Sequence, residues 1–324
     1  MAPKIRFHQC SEEDIIPYFY RWAAAERWNP GTEGREVVDV FYKSLPKSFY
    51  LAVVPDKNDP EKENIVACVC AATYGEDMGW IGYYISSPEY RGQGYGLATF
   101  NHALKVIGER ATVGLDGVLA QVKNYQKSGF TNSAWQSQRR AANIDHFISR
   151  LSDFETFGEL NIMEISDIPF AELDALDARY SGFRRPAFLR NWIAFHTNNE
   201  EYGRFSCAVT ANGQLLGYGC VRPAAESFRV GPLFAESPEV AKTILYHLAK
   251  SVSKALSTPA SNKIPSSTSP VLDLDICAGN ANAVSLFDEL EIPMSEVTTI
   301  RMYKGKQPNA DINGVYAATT YELG

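Results

Sequence analysis

Three glycines at every second position, Gly92, Gly94 and Gly96, stand between two apolar stretches of different period. The stretch before them, residues 79–86 (GWIGYYIS), is rich in aromatic and β-branched residues and reads as a strand that ends at Ser87-Pro88. After them Leu97, Phe100, Leu104 and Ile107 recur at three- and four-residue steps, which predicts a helix with one apolar stripe. A loop between such elements presents unpaired N–H groups at a helix N-terminus, where donors and dipole favour a phosphate. Glycine lets the phosphate approach closely and permits positive φ. Two phosphate-loop classes do not fit. A P-loop needs Lys-Ser or Lys-Thr after the last glycine, and the dinucleotide fingerprint needs glycine where Leu97 stands.

The segment Tyr90-Arg91-Gly92-Gln93-Gly94-Tyr95-Gly96, after Pro88 and a strand, resembles the acetyl-CoA loop of the GNAT superfamily. About 30 residues later, Tyr125-Gln126-Lys127-Ser128-Gly129-Phe130 resembles the Tyr-x-x-x-Gly-Phe element of that superfamily. The resemblance implies that Tyr84, Ile85 and Ser86 face the acetyl-pantetheine end of acetyl-CoA. It implies that Arg91, Gly92, Gln93, Gly94, Tyr95, Gly96 and Leu97 cradle the pyrophosphate, and that Tyr125 is the general acid. One departure stands out: the family's usual Asn, seven residues before the Tyr, is Val118 here. The chemistry agrees with the proton donor. Attack by an amine on a thioester expels a thiolate whose parent thiol has a pKa of about 8.5, and a phenol of pKa about 10 stays protonated to serve it.

The base is less legible. An alkylammonium of pKa about 10.4 is deprotonated only about once in 2,500 molecules at pH 7, so a base or a water chain should assist. The cluster Glu26-Arg27-Trp28-Asn29-Pro30-Gly31 follows the first helix, where GNAT folds build a wall of the substrate cleft. Glu26 is the candidate base, and Trp28 and Asn29 are candidate substrate contacts; a helix-ending turn with a solvated Glu is the plainer alternative. Asp116 is a third carboxylate to consider. The five histidines show no catalytic pairing.

Beyond a polar boundary near residues 150–159 the order of elements recurs. The expectation is therefore an α/β (α+β) chain of two tandem GNAT-like domains, 1–150 and 151–324, each with a mixed, mostly antiparallel sheet flanked by helices. The second half resembles the degenerate half of tandem, YitH-like GNAT proteins. Its corresponding segment, residues 228–238, has no alternate glycines. Ser237 can cap the following helix, Pro238 suits its first turn, and Glu236 and Glu239 bring negative charge that repels a pyrophosphate. No cofactor is expected there. Residues 257–270 read as a Ser/Thr/Pro-rich loop, and residues 315–321 as a strand that could add to an edge of either half.

Composition narrows the partners. A net charge of −7 argues against nucleic acid, and no apolar run approaches the roughly 18 residues a membrane helix needs. None of the six cysteines forms a CxxC pair, so neither a disulfide framework nor a metal is expected. The chain reads as a cytoplasmic N-acetyltransferase moving an acetyl group from acetyl-CoA to a primary amine by direct attack. The acceptor expected for an acidic chain is a cationic small molecule. A peptide or protein amine, and a non-catalytic acyl-CoA sensor, are the competing readings; the oligomeric state is not legible.

Overall fold

Turns rich in Gly, Pro and acidic residues cut the chain into short β-forming runs, and thirteen of these hydrogen-bond into a single sheet in the computed structural model. It describes residues 5–56, 58–59, 61–258, 263–266 and 268–324, so part of the Ser/Thr/Pro-rich loop, residues 259–262 and 267, lies outside the described residues. The first half contributes β1 (Arg6–Gln9), β2 (Phe49–Pro55), β3 (Glu63–Tyr74), β4 (Met78–Ser86), β5 (Thr112–Val118) and β6 (Asn132–Asn143). Its helices are α1 (Arg21–Ala25), α2 (Tyr95–Ile107), α3 (Val122–Lys127) and α4 (Ile144–Arg150). The second half contributes β7 (Asn161–Met163), β8 (Phe205–Ala211), β9 (Gln214–Pro223), β10 (Phe228–Ala235), β11 (Val271–Cys277), β12 (Met294–Gly305) and β13 (Val315–Ala317). With them come α5 (Phe170–Ser181), α6 (Pro186–His196), α7 (Pro238–Leu256) and α8 (Ala281–Glu289).

Neighbouring strands run antiparallel except β4 with β5 and β10 with β11, which gives the mixed, mostly antiparallel α/β fold. The two halves exchange strands at the centre. β12, late in the chain, pairs with β5 of the first half, while β6 pairs with β11 of the second, and β6 and β12 pair with each other. The order β5-β12-β6-β11 therefore stitches both halves into one sheet.

On one face α2 buries Phe100, Ala103 and Ile107 against Val69, Ile81, Val113 and Leu115, as its apolar stripe demands. On the other face the halves share a core. The sequence reading assigned no element to residues 32–48, yet the helical segment Val37–Tyr42 buries Val37, Val38, Val40 and Phe41 there. Phe41 stacks on Phe188 and Trp192 of α6, with centroids 6.1 and 6.2 Å away. The first helical stretch is not one regular run: a widened π-helical segment, Ile15–Tyr20, which contains Pro17, leads into α1. A proline removes one N–H from the ladder, and a wider turn is one way for the backbone to accommodate it.

The largest departure concerns residues 315–321. They add no edge strand. β13 pairs antiparallel with β10 inside the sheet (Leu233 with Ala317, Phe234 with Val315), and Ala318 N–H donates to Asp275 O at 3.0 Å on β11.

Candidate functional site

β4 and β5 lie parallel only from Met78–Trp80 opposite Thr112–Gly114. Beyond that register β4 runs on to Ser86 and β5 to Val118 without pairing with each other, so the strands part. A bulge helps. Between Cys68 and Cys70 of β3, β4 carries one extra residue, and Tyr83 takes φ +47°. The resulting notch opens into a cavity of about 1770 Å³ that runs from the glycine loop to the junction of the halves.

The glycine loop lies at one end. Gly92 and Gly94 have φ of +76° and +86°, and a Cβ built on either meets nothing within 4 Å, so open space lies over both. Gly96, in the first turn of α2, is needed for another reason: a Cβ there would stand 2.8 Å from Ser86 Oγ and from Tyr84 OH. Gly94 precedes α2 with no side-chain cap, and the first-turn N–H groups remain as donors. A diphosphate-bearing ligand fits this cradle. Arg91 is positioned by its own contacts, donating from Nε to Ser86 O at 3.1 Å and pairing with Glu26. Of the residues expected from the sequence, Tyr84, Ile85, Ser86, Arg91, Gly92, Gly94, Gly96, Leu97, Tyr125, Glu26, Trp28 and Asn29 all line the cavity. Gln93 and Tyr95 are not part of the lining: Gln93 donates to Glu89 O at 3.1 Å, and the Tyr95 ring packs on Tyr90.

Tyr125 rides on α3, which ends at Gly129 with φ +95°, as a left-handed cap requires. Its ring lies 5.7 Å from that of Phe100 and over Gly117, where any Cβ would come within 2.8 Å of the ring. Among the described residues its hydroxyl has no hydrogen-bond partner. Burial raises its pKa above the ordinary phenol value, with a smaller push from Tyr84. Burial also pushes Tyr84 up to about 12. Both phenols are therefore protonated across the neutral range.

The wall at residues 26–31 belongs to both halves. Asn29 uses its amide across the junction, donating to Asp273 Oδ2 (2.7 Å) and Ser227 Oγ (2.9 Å) and accepting from Glu226 N–H (2.9 Å). Trp28 faces Tyr83 with centroids 6.5 Å apart. Glu36 ties the wall down, accepting from Arg222 Nε at 2.6 Å and from Gly31 N–H at 2.9 Å. Asp116 lines the cavity but is fully buried and held at both oxygens by Arg301, at 3.0 and 2.6 Å, which removes it as a base. Several lining residues escaped the sequence reading. Gln121 and Asn124 bring amides beside Val118 (2.8 Å apart), and Tyr321 and Glu322 arrive from residues 315–324. No motif marks any of these four; only the fold brings them in.

The corresponding notch of the second half is closed. β10 and β11 pair over Phe228–Val230 and Leu272–Leu274 and then part, and β13 fills the opening. Ser237 Oγ accepts from Val240 N–H at 3.3 Å and Pro238 has no N–H, so the N-terminus of α7 is satisfied internally. Among the described residues no group of three or more His, Cys, Asp or Glu could hold a metal, and no helix is long and apolar enough to cross a membrane.

Comparison with known proteins agrees with this geometry. Residues 13–130 match a family model described as acetyltransferase (GNAT) family, and residues 173–267 match another described as acetyltransferase (GNAT) domain. The chain is 27% identical over 306 residues to the holothin acyltransferase of Pseudoalteromonas sp. (strain SANK 73390), covering 94% of this chain and 89% of that protein. It is 24% identical over 188 residues to the uncharacterised N-acetyltransferase YitH of Bacillus subtilis (strain 168), covering 57% of this chain and 61% of that one. Among solved structures, a putative acetyltransferase from Pyrococcus horikoshii aligns with TM-score 0.72 at 18% identity, over 99% of this chain and 96% of that one. A tandem GNAT protein from the clavulanic acid biosynthesis pathway aligns with TM-score 0.60 at 13% identity, over 93% and 98%. With a glycine cradle beside one open notch, and a GNAT match on each half, the chain belongs to the GNAT superfamily of acyltransferases in its tandem arrangement.

Proposed function

We propose that the chain transfers an acetyl group from acetyl-CoA to a primary amine of a small molecule, in a ternary complex formed at the first half only. The observation that carries this reading is the stretch of β4 beyond Trp80 that is unpaired on its β5 side and opens beside a glycine loop with open space over Gly92 and Gly94. The ligand supplies an acyl thioester. The N–H groups of residues 92–97 would bind its diphosphate, and Arg91 would add positive charge beside them. The backbone of Tyr84, Ile85 and Ser86, unpaired on the β5 side, would orient the pantetheine arm, with the amides of Gln121 and Asn124 also lining the cavity.

Tyr125 would hold the proton that the departing thiolate needs; its hydroxyl has no competing partner among the described residues, and burial keeps it protonated. Glu26, paired with Arg91, would hold the loop end of the cavity and relay charge toward the acceptor. Trp28 would pack on the acceptor, and Asn29 would keep that wall in place through its contacts to Asp273 and Ser227. Carboxylates on the junction side of the cavity, Asp273, Glu226 and Glu322, favour a cationic acceptor. Because β13 occupies the second notch, one acetyl-CoA per chain is expected.

Calorimetry with acetyl-CoA, followed by thiol release against a panel of primary amines that includes holothin and short lysine peptides, tests the reading. Binding with turnover on small amines supports it. Turnover only on peptides redirects the acceptor class. Binding without turnover on any amine makes the chain a sensor, and absence of binding ends the proposal.

A further inference from the structure

Three carboxylates of residues lining the cavity are buried: those of Asp116, Asp273 and Glu322. Two are committed. Asp116 is clamped by Arg301, and Asp273 accepts from Asn29 and from Ser227 Oγ (2.6 Å) with Arg229 Nε 3.4 Å away. Glu322 has no ion-pair partner among the described residues. Its Oε2 accepts from Thr320 Oγ1 and from Tyr321 N–H (3.1 Å), while Oε1 accepts no hydrogen bond from any described residue.

We infer that Glu322 is the general base of the acyl transfer, carried into the first half's site by the segment that seals the second. The segment is fixed where it crosses β4. Tyr74 OH donates to Leu323 O at 2.7 Å, Trp80 Nε1 donates to Tyr321 O at 2.9 Å, and Glu322 O lies so close to Gly82 that no Cβ fits there. Gly82 is two residues before Tyr84, on the strand that walls the notch, so Glu322 stands on the acceptor side of the same opening. Thr320 and the Tyr321 N–H orient one oxygen and leave the other toward the cavity.

The surroundings strengthen the carboxyl as a proton acceptor. Burial raises the pKa of the carboxyl and Glu36 adds to that push, whereas Arg229 and the Thr320 hydrogen bond oppose it. Tyr83 is a further titratable group close to it. Arg229 is already engaged by Asp273 and Asp275, so it does not neutralise Glu322 fully, and Arg222 is engaged by Glu36. An unpaired buried carboxyl of this kind favours a cation beside it. The acceptor ammonium loses two protons on becoming an amide. Glu322 takes one and passes it to solvent; the other replaces the proton that Tyr125 gives to the thiolate. The amine lone pair forms the C–N bond as the C–S pair leaves on sulfur.

This inference rests on the acyl-transfer reading, and the experiment separates the two. Thiol release is followed in the full chain from pH 5 to 9 with the amine panel, or with water as acceptor if no amine is used, for wild type, Glu322→Gln and Glu322→Asp. Wild type should lose rate on the acid side. E322Q should be slower by on the order of 100-fold at pH 7, recover as free amine accumulates at high pH, and bind acetyl-CoA as wild type does. E322D should keep an acid limb at a displaced midpoint. A purely structural role would lower rates without altering the profile. An unchanged profile in E322Q overturns the inference, and if E322Q does not fold, an unmoved midpoint in E322D does the same. No binding and no thiol release by wild type would instead sink the acyl-transfer reading and take this inference with it.

Discussion

The two notches of this sheet share a frame and differ in what fills it. β4 and β5 part beside Gly92, Gly94 and Gly96 and leave a cavity; β10 and β11 part beside Glu236, Ser237 and Pro238 and receive β13. In the first, glycines expose N–H donors at the start of α2. In the second, a serine cap and a proline remove the donors, and Glu236 is paired with Arg179 at 2.9 Å. A splayed pair of strands leaves backbone groups that must find partners. The comparison teaches that the chain itself supplies them in one notch and leaves them open to a cavity in the other.

The largest expected effect lies at the plug. Tyr316 is fully buried in β13, and Tyr316→Ala should destabilise the chain by about 3–5 kcal/mol through lost burial and a cavity, read by denaturant titration. Calorimetry on the variant should still give one acetyl-CoA per chain, because Ser237 caps Val240 N–H, Pro238 has no N–H, and Glu236 and Glu239 repel a diphosphate; a second site would break the contrast between the two helix termini. Next is Gly96→Leu, whose side chain must displace Ser86 Oγ and Tyr84 OH. Acetyl-CoA affinity should fall by on the order of 100-fold, from overpacking and lost phosphate hydrogen bonds, with the melting temperature little changed. Undiminished affinity would place the ligand elsewhere. The smallest change is Tyr125→Phe. It should lower kcat by roughly 100-fold without altering acetyl-CoA affinity. Since burial holds this phenol above its ordinary pKa, wild-type kcat should show no basic limb between pH 7 and 9.5; such a limb, absent from the Phe variant, would contradict the environment described for Tyr125.

Much of the frame could be read from periodicity and punctuation. The bounds of β9, α7 and β11 coincide with the runs 214–223, 238–256 and 271–277, because long patterned segments with clear turn residues carry their own signal. The helical segment at Val37–Tyr42 was missed because its three valines in a short run suit a strand as well as a helix, and what buries it, Tyr83 and α6 against Phe41, is distant in the chain. The glycine loop and Tyr125 stood out as motifs. Glu322, Gln121 and Asn124 were not, since single polar residues without spacing say nothing about where they converge.

By itself the sequence determined which residues could lie against a diphosphate: glycines, with no Cβ and free access to positive φ, at the head of an amphipathic helix. It also determined that residues 236–238 could not do so. Only the tertiary structure decided that β6 and β12 change places, that β13 closes one notch, and that Glu322 reaches the other. The reason is physical. A strand's alternation specifies which face is buried but not which neighbour takes its hydrogen bonds, and that neighbour is settled by long-range packing.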